Sequence, residues 1–144
     1  MTLNEVVWRQ TCAIKTKSDD FVKVLQAQDN ASAVSYEIAA QTAIVVCYAS
    51  YATGDISPLQ IYDDIITQVG QLQTAVWQIQ KTCENATLQD AARKLYESCA
   101  TLKKRLRKKL AALESLESIV DATTQSIQNT FEVTAACSHV TACT

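Results

Sequence analysis

The stretch Tyr62–Cys83, YDDIITQVGQLQTAVWQIQKTC, has the most regular apolar pattern in the chain. Seven of its apolar residues recur at alternating spacings of three and four, and they are Tyr62, Ile65, Val69, Leu72, Val76, Ile79 and Cys83. A repeat of about 3.5 residues puts all of them on the same side of an α-helix, where other helices can pack. The stretch therefore predicts a long helix with a packing seam. Gly70 lies beside this seam and either permits a close helix approach or weakens the helix slightly.

The residues just before this helix indicate a very short connection. Ser57 is a favourable N-cap, and Pro58 fits the first helical position, where its missing N–H costs nothing. Gly54 supplies the left-handed residue that ends many helices. Connections of this length make consecutive helices antiparallel.

Two helices are expected before Gly54. The first begins at a capping box formed by Thr2 and Glu5, and Ser18–Asp20 could cap a restart within it. Its core stripe is Leu3, Val7, Ile14, Phe21 and Val24. The second opens at Asp29–Ser32. Its core stripe is Val34, Ile38, Val45, Tyr48 and Ala52. Because Ile44–Cys47 is a run of consecutive apolar residues, we expect this helix to be buried nearly all round, at the centre of the fold.

A fourth helix should open near Asn85 or Thr87. Its apolar positions are Leu88, Ala92, Leu95, Cys99, Leu102, Leu106, Leu110, Leu113, Leu116 and Val120. Neither Gly nor Pro interrupts it, so only Asp121–Thr124 offers a break, after which a fifth helix would run through Val133. If unbroken to Glu132, the helix would be about 65–70 Å long at ~1.5 Å per residue. The final residues, ACSHVTACT, are expected to be irregular.

Composition agrees with an all-α fold. The 144 residues include 2 glycines and 1 proline, whereas turns and bulges consume both types. We therefore predict an up-and-down antiparallel bundle of four to five helices, with a long C-terminal helix that either protrudes or is covered by a second subunit. Residues 1–136 would form the bundle, and residues 137–144 a cysteine-containing tail.

A concentrated basic run is the strongest functional signal. It comprises Lys103, Lys104, Arg105, Arg107, Lys108 and Lys109, although the whole chain has a formal net charge of −2. Leucines at 102, 106 and 110 hold the core face, so most of these cations should point outward. Within the helix, acids are missing at the spacings of three or four residues that would pair with them.

Two interpretations of the basic run remain open. In one it is a solvated face, or faces acids of neighbouring helices such as Asp19, Asp20, Asp63 and Asp64. In the other it binds a polyanion, namely a nucleic-acid backbone, anionic lipid headgroups or an acidic protein. Arginine can fork onto phosphate oxygens, and lysine acts as a point charge. No aromatic residue lies within the run, so the sequence favours contact with a duplex backbone over base stacking.

The six cysteines give weaker signals. As disulfide candidates they are Cys12, Cys47, Cys83, Cys99, Cys137 and Cys143. An even count favours an oxidising compartment, whereas thiols at seam positions such as Cys83 and Cys99 are usually small core residues. His139 lies between Cys137 and Cys143, but this spacing is unusual for zinc, and we predict no metal and no cofactor. Trp8, Trp77 and the tyrosines are expected to pack in the core or in an interface.

Several classes of function are disfavoured. A single histidine and two glycines provide neither a catalytic triad nor a phosphate-binding glycine loop, so we predict no enzyme. No apolar segment is long enough to span a membrane. The residues MTLNEVVWRQ do not resemble a signal peptide, which favours a virion or intracellular location, with a secreted location as the alternative.

The leading hypothesis is a non-enzymatic structural subunit that forms homo- or hetero-oligomers through helix packing and contacts a DNA or RNA backbone through the basic run. At the level of architecture alone, such a chain resembles the helical coat proteins of filamentous archaeal viruses, and that resemblance implies a virion or filament subunit. A secreted, disulfide-stapled bundle that binds a receptor or small apolar ligand is the first alternative. An intracellular helical adaptor is the second.

Overall fold

The computed structural model describes residues 2–28, 32–52 and 59–143, with side chains at those positions except 32, 117 and 130 onward. It contains the four helices α1 (Leu3–Gln26), α2 (Ser32–Ser50), α3 (Leu59–Thr82) and α4 (Ala86–Cys143). No strand occurs in the described ranges. The predicted all-α bundle is confirmed.

Two of the predicted helix starts are visible as caps. The Thr2 hydroxyl accepts a hydrogen bond from the Glu5 N–H at 3.2 Å, and the Asn85 carboxamide accepts one from the Leu88 N–H at 3.0 Å. Each of these bonds satisfies an N–H that the first helical turn leaves without a partner. The caps predicted at residues 29–31, at Gly54 and at Ser57 and Pro58 lie outside the described residues.

The α3 seam is buried as its spacing predicted. Tyr62, Ile65, Val69, Leu72 and Val76 lie in the core, and Ile79 and Cys83 pack against it. On α4, the apolar positions from Leu88 to Leu106 are also buried, and Leu110 is half-buried. Residues spaced three and four apart on both α3 and α4 thus contribute to the core.

In α1 and α2, polar residues fill the gaps between the predicted apolar positions. Thr11 and Ser18 are buried on α1, and Ser35 and Thr42 on α2. Thr42 donates to the Ile38 carbonyl at 2.8 Å, and its oxygen lies 2.6 Å from the Ser18 hydroxyl. Ser18 is therefore a core residue of one continuous α1, and the predicted helix restart at this position is wrong.

Cross-helix bonds define the order of packing. The Tyr62 hydroxyl donates to Asn4 at 2.7 Å, which places the start of α3 beside the start of α1. The Gln73 side chain donates to the Tyr96 carbonyl at 3.4 Å, which places α4 along α3. Helix α2 packs against both α1 and α3. It is not buried all round, because Ile44 and Cys47 are exposed, so that expectation is wrong.

The predicted long C-terminal helix is present. Helix α4 continues through Asp121–Thr124, so the described chain has no separate fifth helix. The helix extends to Cys143, so the prediction of an irregular tail from residue 136 is wrong.

The chain divides into two compact units, residues 1–110 and 111–144. The first holds the core described above. In the second, the described residues Leu116, Ile119, Val120 and Ile127 are exposed. The assignment of residues 137–144 to a separate tail stays a prediction.

Candidate functional site

The basic run lies on α4 within the first unit. Leu102 and Leu106 are fully buried, so the helical repeat turns the residues between them away from the core. Lys103 is half-buried, whereas the other five cations of the run are exposed. The outward orientation inferred from the leucine spacing is what the structure shows.

No carboxylate neutralises the basic run within the part of the chain that the structure describes. The ion pairs there join Lys15 to Asp19, Arg93 to Asp90 and Glu97, and Lys94 to Asp90. Among the acids of α3, Asp64 accepts a hydrogen bond from Gln60 at 2.9 Å, and neither Asp63 nor Asp64 forms one of these described ion pairs. In the described residues, the basic run therefore has the charge segregation that its sequence suggested.

Lys103 occupies a position of its own within the run. Its ammonium donates to the Gln73 side-chain oxygen at 2.9 Å, and burial, assisted by the positive charge of Arg107, lowers its pKa. A Cβ added at Gly70 would lie 3.5 Å from the Lys103 Nζ, an ordinary contact distance. Gly70 is thus the point on α3 over which this lysine reaches Gln73.

The cations line a groove between α3 and α4, which we call the basic groove. It has a volume of about 360 Å³. Its lining residues are Gln73, Tyr96, Ala100, Lys103, Lys104 and Arg107. Three cations and one amide therefore face the same space, an arrangement that suits an anion with several oxygen acceptors.

An aromatic pair adjoins the basic groove. The rings of Trp77 and Tyr96 are 6.3 Å apart and inclined at 51°. Trp77 is 49% exposed and also lines a second groove of about 450 Å³, together with Lys81 and Arg93. The sequence did not reveal this proximity, because Trp77 and Tyr96 come from different helices and their contact depends on how α3 and α4 are aligned.

Other aromatic side chains also lie at the surface. Trp8, Tyr36 and Tyr51 are exposed, whereas Tyr62 is buried and Tyr48 is half-buried. Core packing is therefore confirmed for only part of this set. An interface role for the exposed members stays a prediction.

The cysteines with described side chains form no disulfide. Cys12 and Cys47 are exposed, Cys83 is half-buried and Cys99 is buried. Burial raises the pKa of the Cys99 thiol to about 12, and nearby Lys103 opposes that shift. Cys99 is thus a core thiol, as its seam position predicted. His139 and the disulfide candidates Cys137 and Cys143 lie outside the described side chains.

Two other kinds of site are absent from the part of the chain that the structure describes. No group of three or more His, Cys, Asp or Glu side chains is placed to hold a metal ion in this part of the chain. No helix within the described ranges has the length and apolar character needed to cross a membrane.

Comparison of the chain with protein-family models, with curated proteins and with solved structures finds no match. The features of the molecule that bear on function are therefore the basic run, the two grooves and the exposed apolar residues of the second unit.

Proposed function

We propose that this protein is a non-enzymatic structural subunit that binds the phosphate backbone of a nucleic acid through the basic run and assembles with further copies of itself. The observation that carries the proposal is the basic run itself, six cations with no carboxylate partner among the described residues. Like charges at spacings of three and four destabilise a helix, so a cluster of this kind is retained at a cost.

A nucleic-acid backbone would make use of this arrangement. Each phosphate that a cation neutralises releases condensed counterions, which gives affinity without reading the base sequence. Arg107 can form two parallel hydrogen bonds with phosphate oxygens, and the flexible lysines beside it add point charges. The hydrogen bond to Gln73 holds the Lys103 ammonium at the edge of the groove, so less side-chain entropy is lost when an anion binds.

Assembly is supported by the segment from residue 111 to residue 129. Leu113, Leu116, Val120 and Ile127 continue the helical repeat, and the last three are exposed together with Ile119. Several large apolar side chains exposed along one segment typically mark an interaction surface. The segment carries Glu114, Glu117 and Asp121 and no cation, so it complements the basic run of a second copy.

The test of backbone binding is a comparison of two triple variants at low salt. Lys104, Arg107 and Lys108 are replaced by Gln in one, and Lys15, Lys17 and Lys23 on α1 are replaced by Gln in the other. Both lose three positive charges, but only the first is expected to lose most of its affinity for a labelled oligonucleotide in fluorescence anisotropy. An equal loss of affinity in both variants, or no binding by the unaltered protein, would contradict the proposal.

The assembly half is tested separately by size-exclusion chromatography with light scattering. The unaltered protein is expected to form oligomers, and the double variant Leu116→Arg, Val120→Arg is expected to run as a monomer with unchanged helical content. A strictly monomeric unaltered protein at high concentration would contradict this half and leave backbone binding standing.

The secreted, disulfide-stapled bundle is the other candidate to be distinguished. It draws on the even number of six cysteines in the sequence, although the four with described side chains are unpaired in the structure. Mass spectrometry with and without reductant counts the bridges. Three bridges per chain would favour this candidate, and six free thiols would exclude it.

A further inference from the structure

We infer that the α3–α4 groove binds single-stranded nucleic acid, with a base stacked on Trp77 and adjacent phosphates on Lys103, Lys104 and Arg107. This inference rests on the proposed backbone binding and specifies the kind of nucleic acid. It departs from the duplex contact that the sequence favoured, because the structure places aromatic rings beside the cations.

The residues that line the two grooves lie on facing sides of α3 and α4. On α3, Gln73 and Trp77 are one helical turn apart, and Lys81 follows one turn later. On α4, Arg93, Tyr96, Ala100, Lys103 and Arg107 recur at spacings of three and four, which puts them on one face. The basic groove and the groove beside Trp77 therefore follow one another along the α3–α4 surface, with the aromatic pair between them, and together we call them the channel.

The indole of Trp77 is accessible to a ligand. Trp77 is 49% exposed, and the half-buried Tyr96 ring contacts it. A large aromatic side chain left half in water loses much of the free energy that burial would supply, and here it lies at the rim of a cationic groove. Tyr96 restricts the position of the indole, so a stacking surface is present before any ligand binds.

The combination of aromatic rings and cations suits a single strand better than a duplex. Proteins that bind single strands without sequence preference combine a basic groove that follows the backbone with aromatic rings on which bases stack. The bases of a duplex are stacked on one another and cannot lie on Trp77 without being unpaired. From Arg93 to Arg107 the channel extends about 21 Å along α4, at ~1.5 Å per residue, which leaves room for several nucleotides.

The charges along the channel favour one end for the phosphates. Near Trp77, Arg93 is already paired with Asp90 and Glu97, so that part of the channel is close to neutral. The cations beyond Tyr96 have no carboxylate partner among the described residues. We therefore place the stacked base at the aromatic pair and the principal phosphate contacts toward Arg107.

The experiment compares three polyanions by fluorescence anisotropy at one low salt concentration. They are a labelled oligothymidylate, a labelled duplex of equal length, and heparin as an unlabelled competitor that carries charge but no bases. The single strand is expected to bind at least about tenfold more tightly than the duplex, since stacking on one aromatic side chain is worth about that factor.

Two matched tryptophan variants isolate stacking from charge. Trp77→Leu is expected to weaken binding of the single strand about tenfold or more and to leave heparin binding unchanged. Trp8→Leu, which alters a tryptophan of similar exposure on α1, is expected to change neither. Circular dichroism checks that both variants remain folded. In a Trp8→Phe background, the fluorescence of Trp77 should also be quenched by the oligothymidylate and not by heparin.

The outcomes separate this inference from the proposed function. If the duplex binds as tightly as the single strand and Trp77→Leu changes nothing, while the Lys104, Arg107, Lys108 variant still loses affinity, then the stacking inference is overturned and backbone binding stands. If heparin alone binds, the groove recognises charge without bases, which also overturns it. Binding of none of the three polyanions would remove both proposals.

Discussion

The two stretches of α4 on either side of Leu110 share one apolar spacing but differ in burial and in charge. From Leu88 to Leu106 the side chains at the predicted apolar positions are fully or almost fully buried, whereas Leu116, Val120 and Ile127 are more than half exposed. The first stretch contains the basic run, and the second carries three acids and no cation up to Asn129. The comparison shows that a helical repeat specifies which face of a helix is apolar, but not whether the rest of the chain covers that face.

The two stretches should differ most in how much their leucines contribute to the free energy of unfolding. Leu102→Ala removes a side chain with 0% exposure and should lower the free energy of unfolding by about 2–5 kcal/mol, through lost burial and the cavity that remains. Leu116→Ala should change it by less than about 0.5 kcal/mol in dilute protein, because the side chain is 57% exposed. Urea denaturation of both variants measures the difference, and comparable losses would show that the two stretches are not distinct.

The reactivity of the Cys99 thiol measures how well the first stretch is shielded from solvent. Because burial raises the pKa of Cys99 to about 12, its thiolate is scarce at pH 8, and it should react with a thiol reagent far more slowly than exposed Cys12 and Cys47. The folded state binds this proton more tightly than the unfolded state. The corresponding stability is therefore complete below pH 9 and is lost as the pH rises toward 12.

A Cys99→Ala variant provides the control for this prediction. It should remove the slow-reacting thiol from the labelling time course and reduce the loss of stability above pH 9. Labelling of Cys99 at the rate of the exposed cysteines would mean that the core around it opens readily.

Replacement of lysine by glutamate at two sites of α4 should change the free energy of unfolding slightly and in opposite directions. Lys104→Glu places an acid three and four residues before Arg107 and Lys108, so two favourable pairs should raise the free energy of unfolding by about 0.4–1 kcal/mol. Lys94→Glu instead breaks the pair with Asp90 and adds repulsion, so it should lower stability by a similar amount. Thermal or urea unfolding of both variants tests this, and a loss of stability in Lys104→Glu would indicate that Lys104 already has an acidic partner.

Much of the fold could be predicted from the sequence. The spacing from Tyr62 to Cys83 predicted the α3 seam, and the absence of Gly and Pro after Asn85 predicted the length of α4. Asp121–Thr124 was a candidate break because these residue types favour helix ends, but none of them prevents a helix from continuing. The buried Ser18 was missed because its bonding partner Thr42 lies on another helix.

The candidate site was predictable only in part. The basic run and its outward direction follow from the leucines at 102 and 106, because both belong to one helix. The hydrogen bond from Lys103 to Gln73 and the contact of Trp77 with Tyr96 depend on the alignment of α3 with α4. Nothing in a single sequence specifies that alignment, so the aromatic edge of the groove could be found only in the structure.

The most direct test of the central claim is the salt dependence of nucleic-acid binding. The logarithm of the affinity for oligothymidylate should fall linearly with the logarithm of salt concentration, by about 0.7 for each phosphate contact. Replacing Lys104 and Arg107 by Gln should reduce that slope by about 1.4, whereas replacing Arg93 and Lys94, whose charges are already paired, should leave it nearly unchanged. An equal reduction in both variants, or a slope that neither variant alters, would contradict the claim that the basic run contacts phosphate.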